Sequence, residues 1–104
     1  MIMDPDSSIL EFMIADVVVS TAGRDAGKLF YVIDADDTYL TLVNGRDRRI
    51  EKPKRKKSKH TKKVLRSETR VAEKLRSGDK VLNSELRRDL AYLAREMQSK
   101  ANGG

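Results

Sequence analysis

Two short apolar runs flank a glycine-containing turn in the first third of the chain, and this arrangement most restricts how the chain can fold. Residues 17–19 are all valine, and residues 28–34 include Phe, Tyr, Val and Ile. β-Branched and aromatic side chains of this kind favour strands. Gly23 and Gly27 lie in the turn, where they can adopt positive φ or let another backbone approach closely. The pattern predicts an antiparallel hairpin whose first strand has one solvent-exposed side, with Val17 and Val19 sharing the other face.

Three further short strands are predicted after this hairpin. Residues 34–37 contain three aspartates and predict a turn, and residues 38–43 predict a third strand. Asn44-Gly45 follows immediately, and Asn-Gly beside an alternating run is a strong hairpin signal. Residues 46–51 would therefore pair back as a fourth strand, and residues 59–65 would form a short fifth one. Such a series predicts a small SH3-like antiparallel barrel, closed so that few strand edges remain open.

The last third of the chain has helical periodicity. Ser67 can cap a first helix that continues through Val71 and Leu75 and ends at Gly78. Asn83 or Ser84 can cap a second helix. Its apolar positions recur at four- and three-residue steps and form an amphipathic stripe: Leu86, Leu90, Leu93 and Met97. The predicted organisation is a flexible lead over 1–13, a mainly β domain over 14–66 with a basic loop at 52–63, a helical pair over 67–100 and a frayed tail over 101–104.

Composition limits the classes of protein to which the chain can belong. The chain has 104 residues, enough for one domain, with 38% hydrophobic and 37% charged residues. No apolar stretch approaches the roughly 18 residues that a membrane span requires. The absence of cysteine excludes disulfides and thiolate metal sites, and acidic Asp4 and Asp6 argue against a secretory signal. The expectation is a cytoplasmic, monomeric protein with no membrane partner and no cofactor.

The positive charge is concentrated in one segment. Residues 46–63 contain eleven Lys or Arg against only Asp47 and Glu51, whereas the whole chain has a net charge of +6. Because each Lys or Arg that neutralises a phosphate releases condensed counterions, such a segment favours binding to a polyanion. The alternative is a solvated, flexible loop without a ligand. Pro53 prevents the segment from forming one continuous helix.

The turn and the basic segment together resemble the KOW motif, a small RNA-binding element of ribosomal proteins and transcription elongation factors. Residues 22–28, Ala-Gly-Arg-Asp-Ala-Gly-Lys, are similar to KOW proteins of archaeal and eukaryotic large ribosomal subunits and to their small bacterial relatives. The resemblance extends to Arg48-Arg49-Ile50 and Lys59-His60 and covers about residues 17–64. It departs at Ala15, where many relatives have glycine, and in the dense run 54–57. The resemblance implies an SH3-like fold and RNA as the ligand. Among RNAs it favours ribosomal RNA, and hence a role in translation.

Candidate RNA-binding residues come from the turn and from the basic segment. The turn contributes Gly23, Arg24, Gly27 and Lys28. The segment contributes Arg46, Arg48, Arg49, Lys52, Lys54, Arg55, Lys56, Lys57, Lys59, His60, Lys62 and Lys63. Contacts of this kind go to phosphates and position a protein without identifying the RNA sequence.

Other sequence features are weaker signals. The turn is not a nucleotide-binding P-loop, since three residues separate its glycines where four are required and Leu29 replaces the Ser or Thr that would hold magnesium. Asp34, Asp36 and Asp37 are expected to be turn carboxylates rather than a divalent-ion site. His60 is the only histidine and cannot form a catalytic triad or a metal cluster.

Two classes of alternative remain open. Phe30, Tyr31 and Tyr39 are either core residues or platforms for base stacking. The leucine stripe of the second helix is expected to pack on the sheet or on the first helix. The second functional hypothesis is a protein-interaction adaptor of the transcription or translation machinery, which would bind its partner through an edge of the barrel or through Leu86, Leu90, Leu93 and Met97. No catalytic group of residues is visible, and the chain is predicted not to be an enzyme.

Overall fold

The computed structural model describes residues 11–103. Residues 1–10 of the predicted flexible lead and residue 104 of the predicted tail lie outside the described residues. Five strands and two α-helices follow one another along the chain. They are β1 (Asp16–Ser20), β2 (Leu29–Ala35), β3 (Tyr39–Val43), β4 (Lys54–Lys57), a 3₁₀ helix (Ser58–His60), β5 (Thr61–Arg66), α1 (Arg70–Ser77) and α2 (Asn83–Gly103). The predicted antiparallel sheet of five strands followed by two helices is confirmed.

The strands form one open antiparallel sheet in the order β4-β3-β2-β1-β5, with β4 and β5 at its two edges. The 3₁₀ helix alone joins these two edges. At about 2 Å of rise per residue it spans roughly 6–8 Å, whereas the outer strands of a flat five-stranded sheet lie about 19 Å apart. The sheet must therefore curl strongly.

The curled sheet buries apolar side chains on both faces. Val17, Tyr31 and Val43 face the helices, and Val18 and Phe30 belong to a second cluster on the opposite face. The expectation of a strand with one solvent-exposed side is therefore wrong for β1, where Val17 and Val18 are both fully buried. On the second face Val18 packs with Phe30 and Leu40, and Phe12 packs against the same cluster.

The prediction of a fourth strand over 46–51 is wrong. Residues 44–53 form a loop, and the fourth strand is Lys54–Lys57, inside the segment that the sequence predicted to be a basic loop. Asn44 does not turn a hairpin, because its Oδ1 accepts hydrogen bonds from the backbone N–H groups of Arg46 (2.9 Å) and Arg48 (3.0 Å). The side chain thus closes a compact turn on itself, and pairing with β3 begins only after Pro53.

Both helices pack against one face of the sheet. Leu86, Leu90 and Leu93 are buried with Val17 and Tyr31, which confirms that the leucine stripe packs on the sheet. Met97, farther along α2, is only half-buried.

The ends of the helices differ slightly from the sequence prediction. Thr69, not Ser67, caps α1, since its hydroxyl accepts from Ala72 N at 3.2 Å. Gly78 ends α1 as predicted, and α2 continues to Gly103, through most of the tail expected to fray.

A polar cluster fastens the sheet to the helices. The hydroxyl of Tyr31 on β2 donates to the carboxylate of Asp89 on α2 and lies 2.8 Å from Ser67 Oγ. Thr69 Oγ1 also donates to Asp89 at 2.9 Å. Burial, with the hydrogen bond to Asp89, raises the pKa of Tyr31 to about 12. The cluster gives partners to polar groups that the packing of α2 would otherwise bury alone.

Within residues 11–103, no helix is both long and apolar enough to cross a membrane. At the N-terminal end of the described residues, Phe12 packs against the second apolar cluster.

Candidate nucleic-acid interface

The glycine-containing turn joins β1 to β2 and is closed by its own backbone. Gly27 N donates to Ser20 O at 2.8 Å, and Lys28 N donates to Asp25 O at 3.0 Å. Gly23 and Gly27 have φ values of 85° and 89°. At Gly27 an added Cβ would meet nothing within 4 Å, so the backbone angle and not space favours glycine there. The turn presents Arg24 to solvent.

Asp25 is the only buried residue of this turn, and it binds two lysines of β4. Its Oδ2 lies 2.7 Å from Lys54 Nζ, and its Oδ1 lies 3.0 Å from Lys56 Nζ and 2.7 Å from Ser20 Oγ. Lys56 Nζ also donates to Ala22 O at 2.8 Å. The cluster therefore ties the turn after β1 to the edge strand β4.

The charge state of this cluster follows from its contacts. Burial alone would raise the pKa of Asp25, but hydrogen bonds from Lys54, Ser20 and Lys56 outweigh burial and hold the pKa well below its usual range. Asp25 is therefore ionised at neutral pH. Two of the candidate RNA-binding lysines consequently have an internal anion as their partner.

Strand geometry divides the four cations of β4 into two pairs. Lys54 and Lys56 are opposite Leu42 and Leu40, on the face of the second apolar cluster. Arg55 and Lys57 alternate with them and are exposed on the other face. The Arg55 guanidinium lies 4.2 Å from the ring centroid of Tyr39 and 3.6 Å from Asp36 Oδ2. The outward pair can therefore meet a ligand without disturbing the Asp25 cluster.

The loop over 44–53 is held against the start of α2. Ile50 N donates to Asn83 Oδ1 at 2.8 Å, and Asn83 Nδ2 donates to both carboxylate oxygens of Glu51. Arg87 Nη1 donates to Gly45 O at 2.8 Å. These contacts fix the backbone from which Arg46, Arg48 and Arg49 project. The loop is thus a supported structure of the helical side and not part of the hairpin predicted from Asn44-Gly45.

Two further candidate lysines form ion pairs. Lys28 Nζ lies 2.8 Å from Asp47 Oδ2, with both side chains well exposed. Lys63 Nζ lies 3.1 Å from Asp16 Oδ2, and Asp16 is fully buried. Exposed pairs contribute little to stability and exchange partners readily. Lys28 is therefore available to a ligand, whereas Lys63 is held at a buried carboxylate.

The remaining candidate cations have no carboxylate of residues 11–99 within ion-pair distance. They project from the turn after β1, the loop before β4, the outer face of β4, the 3₁₀ helix and the start of β5: Arg24, Arg46, Arg48, Arg49, Lys52, Lys57, Lys59 and Lys62. Arg48 is half-buried and the other seven are exposed. This set, together with Arg55, is called the exposed basic set below. The β1–β2 turn and the segment that contains Lys59 meet directly, since Thr21 N donates to His60 O at 2.9 Å.

The aromatic candidates separate in the same way. Phe30 and Tyr31 are fully buried and belong to the core. Tyr39 is half-buried beneath Arg55, and His60 is half-buried. The structure therefore leaves Tyr39 and His60 as the candidates near the surface.

The aspartates of the β2–β3 turn serve that turn. Asp36 Oδ1 accepts from Thr38 N at 2.8 Å and from Tyr39 N at 2.6 Å. These backbone hydrogen bonds lower the pKa of Asp36, and the one from Tyr39 has the largest effect. Among the described residues, no group of three or more His, Asp or Glu could hold a metal ion.

Sequence reasoning missed the residues that organise this surface. Asp25 appeared only as one letter of the turn, and Ser20 and Arg87 were given no role in the site. A signal for Asp25 did exist, because it is the only acid in a turn that otherwise presents cations. Its partners lie 29 and 31 residues away, and no local pattern indicates them.

No family model matches this chain, and no curated protein matches its sequence significantly.

Proposed function

We propose that this chain is a non-catalytic RNA-binding protein of the KOW type that acts on ribosomal RNA, either as a ribosomal protein or as a ribosome-associated one. The observation that carries the proposal is the exposed basic set: cations that the fold holds at the surface, all but Arg55 without a carboxylate partner among residues 11–99. Cations in that state can neutralise phosphates without first breaking an internal ion pair. Arginine can also donate two parallel hydrogen bonds to one phosphate.

The finer fold assignment belongs to the same proposal. An SH3-like barrel is supported by the strand order, in which β5 returns to pair with β1, and by the three-residue link between the two edge strands. Ala15 adds support because its φ is 74°, a left-handed conformation that glycine adopts easily. Many KOW proteins have glycine at the corresponding place, and this chain retains the conformation that glycine favours.

The Asp25 cluster gives the lysines of β4 two different roles. Lys54 and Lys56 hold the turn after β1, so Arg24 is presented from a fixed backbone. Arg55 and Lys57 face outward, where they can contact phosphates. Binding through such contacts depends on the shape of the RNA backbone rather than on its bases.

Of the two surfaces that the adaptor hypothesis would use, a strand edge and the leucine stripe, the stripe is largely covered in the folded chain. Leu86, Leu90 and Leu93 are buried against the sheet, so a partner could reach them only if α2 were displaced. No other observation favours it over RNA binding.

The test is an equilibrium titration of labelled ribosomal RNA fragments between about 50 and 200 mM salt. The wild-type chain should bind with an affinity that falls linearly on logarithmic axes. An Arg48→Glu/Arg49→Glu/Lys57→Glu variant should bind weakly and lose about two units of slope, since each phosphate contact contributes about 0.7–0.9.

A matched control reverses three exposed cations on the helical side, as Arg70→Glu/Lys80→Glu/Arg95→Glu. It carries the same change in net charge and should retain most of the affinity. Absence of wild-type binding at low salt would refute the RNA proposal, and equal losses in the two variants would refute its location.

A further inference from the structure

A small pocket lies where the β1–β2 turn, the loop after β3 and helix α2 meet. Its volume is about 340 Å³, several times the roughly 30 Å³ that a water molecule occupies in the liquid. Each of the three elements contributes one cation, namely Lys28, Arg46 and Arg87. Among the described residues that line it, Asp47 is the only carboxylate, so these residues give the pocket excess positive charge.

The apolar walls of the pocket strengthen the electrostatic interactions of these cations. Leu90 is buried and Leu29 is half-buried, and both line it. Charges beside such an apolar wall interact more strongly than charges surrounded by water.

The backbone around the pocket is fixed. Asn44 is buried, and its Oδ1 accepts from Arg46 N, which sets the position from which the Arg46 side chain leaves. Arg87 Nη1 donates to Gly45 O, so one edge of its guanidinium is anchored while Arg87 also lines the pocket. A phosphate in the pocket would therefore meet the guanidinium groups of Arg46 and Arg87, which leave a fixed backbone, and the ammonium group of the exposed Lys28.

Asp47 would compete with a bound phosphate for Lys28. Its Oδ2 accepts from Lys28 Nζ at 2.8 Å and from Asn44 Nδ2 at 3.5 Å. The hydrogen bond from Lys28 contributes most to lowering the pKa of Asp47, and Asn44 and the charge of Arg46 add to it. The carboxylate is thus ionised at neutral pH and already binds Lys28, one of the three cations that a second anion would need.

We propose that this pocket binds a phosphate group through Lys28, Arg46 and Arg87, and that the phosphate displaces Asp47 from Lys28. The inference rests on the proposed function, because a phosphodiester of bound RNA is the phosphate that reaches a groove beside the exposed basic set. Inorganic phosphate has the same chemistry, and the experiment separates the two sources.

The first arm measures RNA affinity and its salt slope. Asp47→Asn should tighten binding about two- to fivefold, the range that loss of an exposed ion pair allows. Lys28→Gln and Arg46→Gln should each weaken binding and reduce the slope by about 0.7–0.9, one phosphate contact. In the Lys28→Gln background, Asp47→Asn should give no more than a general charge effect. That effect is measured with Glu96→Gln, and Lys80→Gln controls for loss of a cation; both residues are exposed and lie outside the pocket.

The second arm uses inorganic phosphate at constant ionic strength and follows backbone amide resonances by NMR. Shifts at residues 28 and 44–48 that grow in Asp47→Asn and vanish in Lys28→Gln would show that the pocket accepts free phosphate. Shifts absent from this arm, with the RNA effects present, would assign the site to phosphodiesters of RNA alone. The RNA affinity of Arg87→Gln is compared with that of the wild type only after thermal unfolding has shown that the variant is folded. This control is needed because Arg87 also donates a hydrogen bond to Gly45 O.

The two proposals fail separately. Wild-type protein that does not bind RNA refutes the proposed function, and the phosphate arm then decides the pocket alone. RNA binding in which the Lys28, Arg46 and Asp47 variants match their controls, without phosphate-induced shifts, overturns the pocket while leaving the proposed function in place.

Discussion

Asp25 and Lys56 form an ion pair across the curled sheet, with Oδ1 and Nζ 3.0 Å apart and both side chains about nine-tenths buried. Lys54 completes the cluster from the same strand, with its Nζ 2.7 Å from Asp25 Oδ2. A carboxylate of the β1–β2 turn thereby holds the edge strand β4, whose own sequence is entirely cationic. The segment that the sequence predicted to be a basic loop thus contains a strand whose two inward lysines pair with a single aspartate.

Replacing Asp25 should destabilise the fold and change its response to acid. Asp25→Asn leaves two lysines without their anion, which should cost about 3 kcal/mol of unfolding free energy. Because the pKa of Asp25 is lower in the folded state, its contribution is present above about pH 4 and is lost as the pH falls towards the folded pKa.

The measurement is chemical denaturation at pH 7 and at stepwise lower pH. The difference in unfolding free energy between wild type and Asp25→Asn should shrink below about pH 4. The exposed Asp79→Asn serves as control and should match the wild type at every pH. A difference that stays constant into acid would show that Asp25 is not the stabilising anion.

Tyr31 should contribute stability that alkali removes. Tyr31→Phe deprives Asp89 of a hydrogen bond inside the polar cluster and should cost about 1.5–3 kcal/mol, whereas the exposed Tyr92→Phe should cost little. The pKa of Tyr31 is about 12 in the folded state, so this contribution is complete below about pH 10 and declines between 10 and 12.

Two readouts follow for Tyr31. The ultraviolet titration of phenolate should show one tyrosine ionising late, and that component should disappear in Tyr31→Phe. A Tyr31→Phe protein as stable as wild type at neutral pH would contradict a bonding role for the hydroxyl.

Two glycines with similar backbone angles should respond differently to a methyl group. Gly45 has φ 76°, and its added Cβ would lie 2.3 Å from Asn83 O and 2.9 Å from Leu86 Cβ. Gly45→Ala should therefore cost about 3–5 kcal/mol, combining left-handed strain with overpacking. Gly27→Ala, which meets nothing within 4 Å, should cost only the strain of about 1–2 kcal/mol. Thermal unfolding compares the two, and equal losses would contradict the docking of this loop on α2.

The sequence predicts most elements of the fold because their signals are local. Gly78 ends α1, and the leucine stripe of α2 packs on the sheet, as periodicity and capping indicate. The failures occur where a distant contact overrides a local preference. Asn44-Gly45 has the composition of a hairpin turn, but Gly45 packs on Leu86 and its carbonyl accepts from Arg87.

The candidate site was predictable in composition but not in arrangement. Charge density alone identified the basic segment, whereas its division into inward and outward residues required knowledge of the strand. Four consecutive cations show no alternation of polarity, so the two-residue period of β4 is invisible in the sequence. Lys54 and Lys56 differ from Arg55 and Lys57 in the face of β4 on which they lie, and on that face the fold brings Asp25 to them.

The most direct test compares the two halves of β4 in the same RNA titration. Arg55→Gln/Lys57→Gln should weaken binding to ribosomal RNA and reduce the salt slope by about 1.4–1.8, the loss of two phosphate contacts, while thermal unfolding stays near that of wild type. Lys54→Gln/Lys56→Gln removes the same charge but should lower the unfolding temperature, and at a temperature where it remains folded it should keep the wild-type slope. RNA binding that depends equally on both pairs, or on neither, would contradict the account.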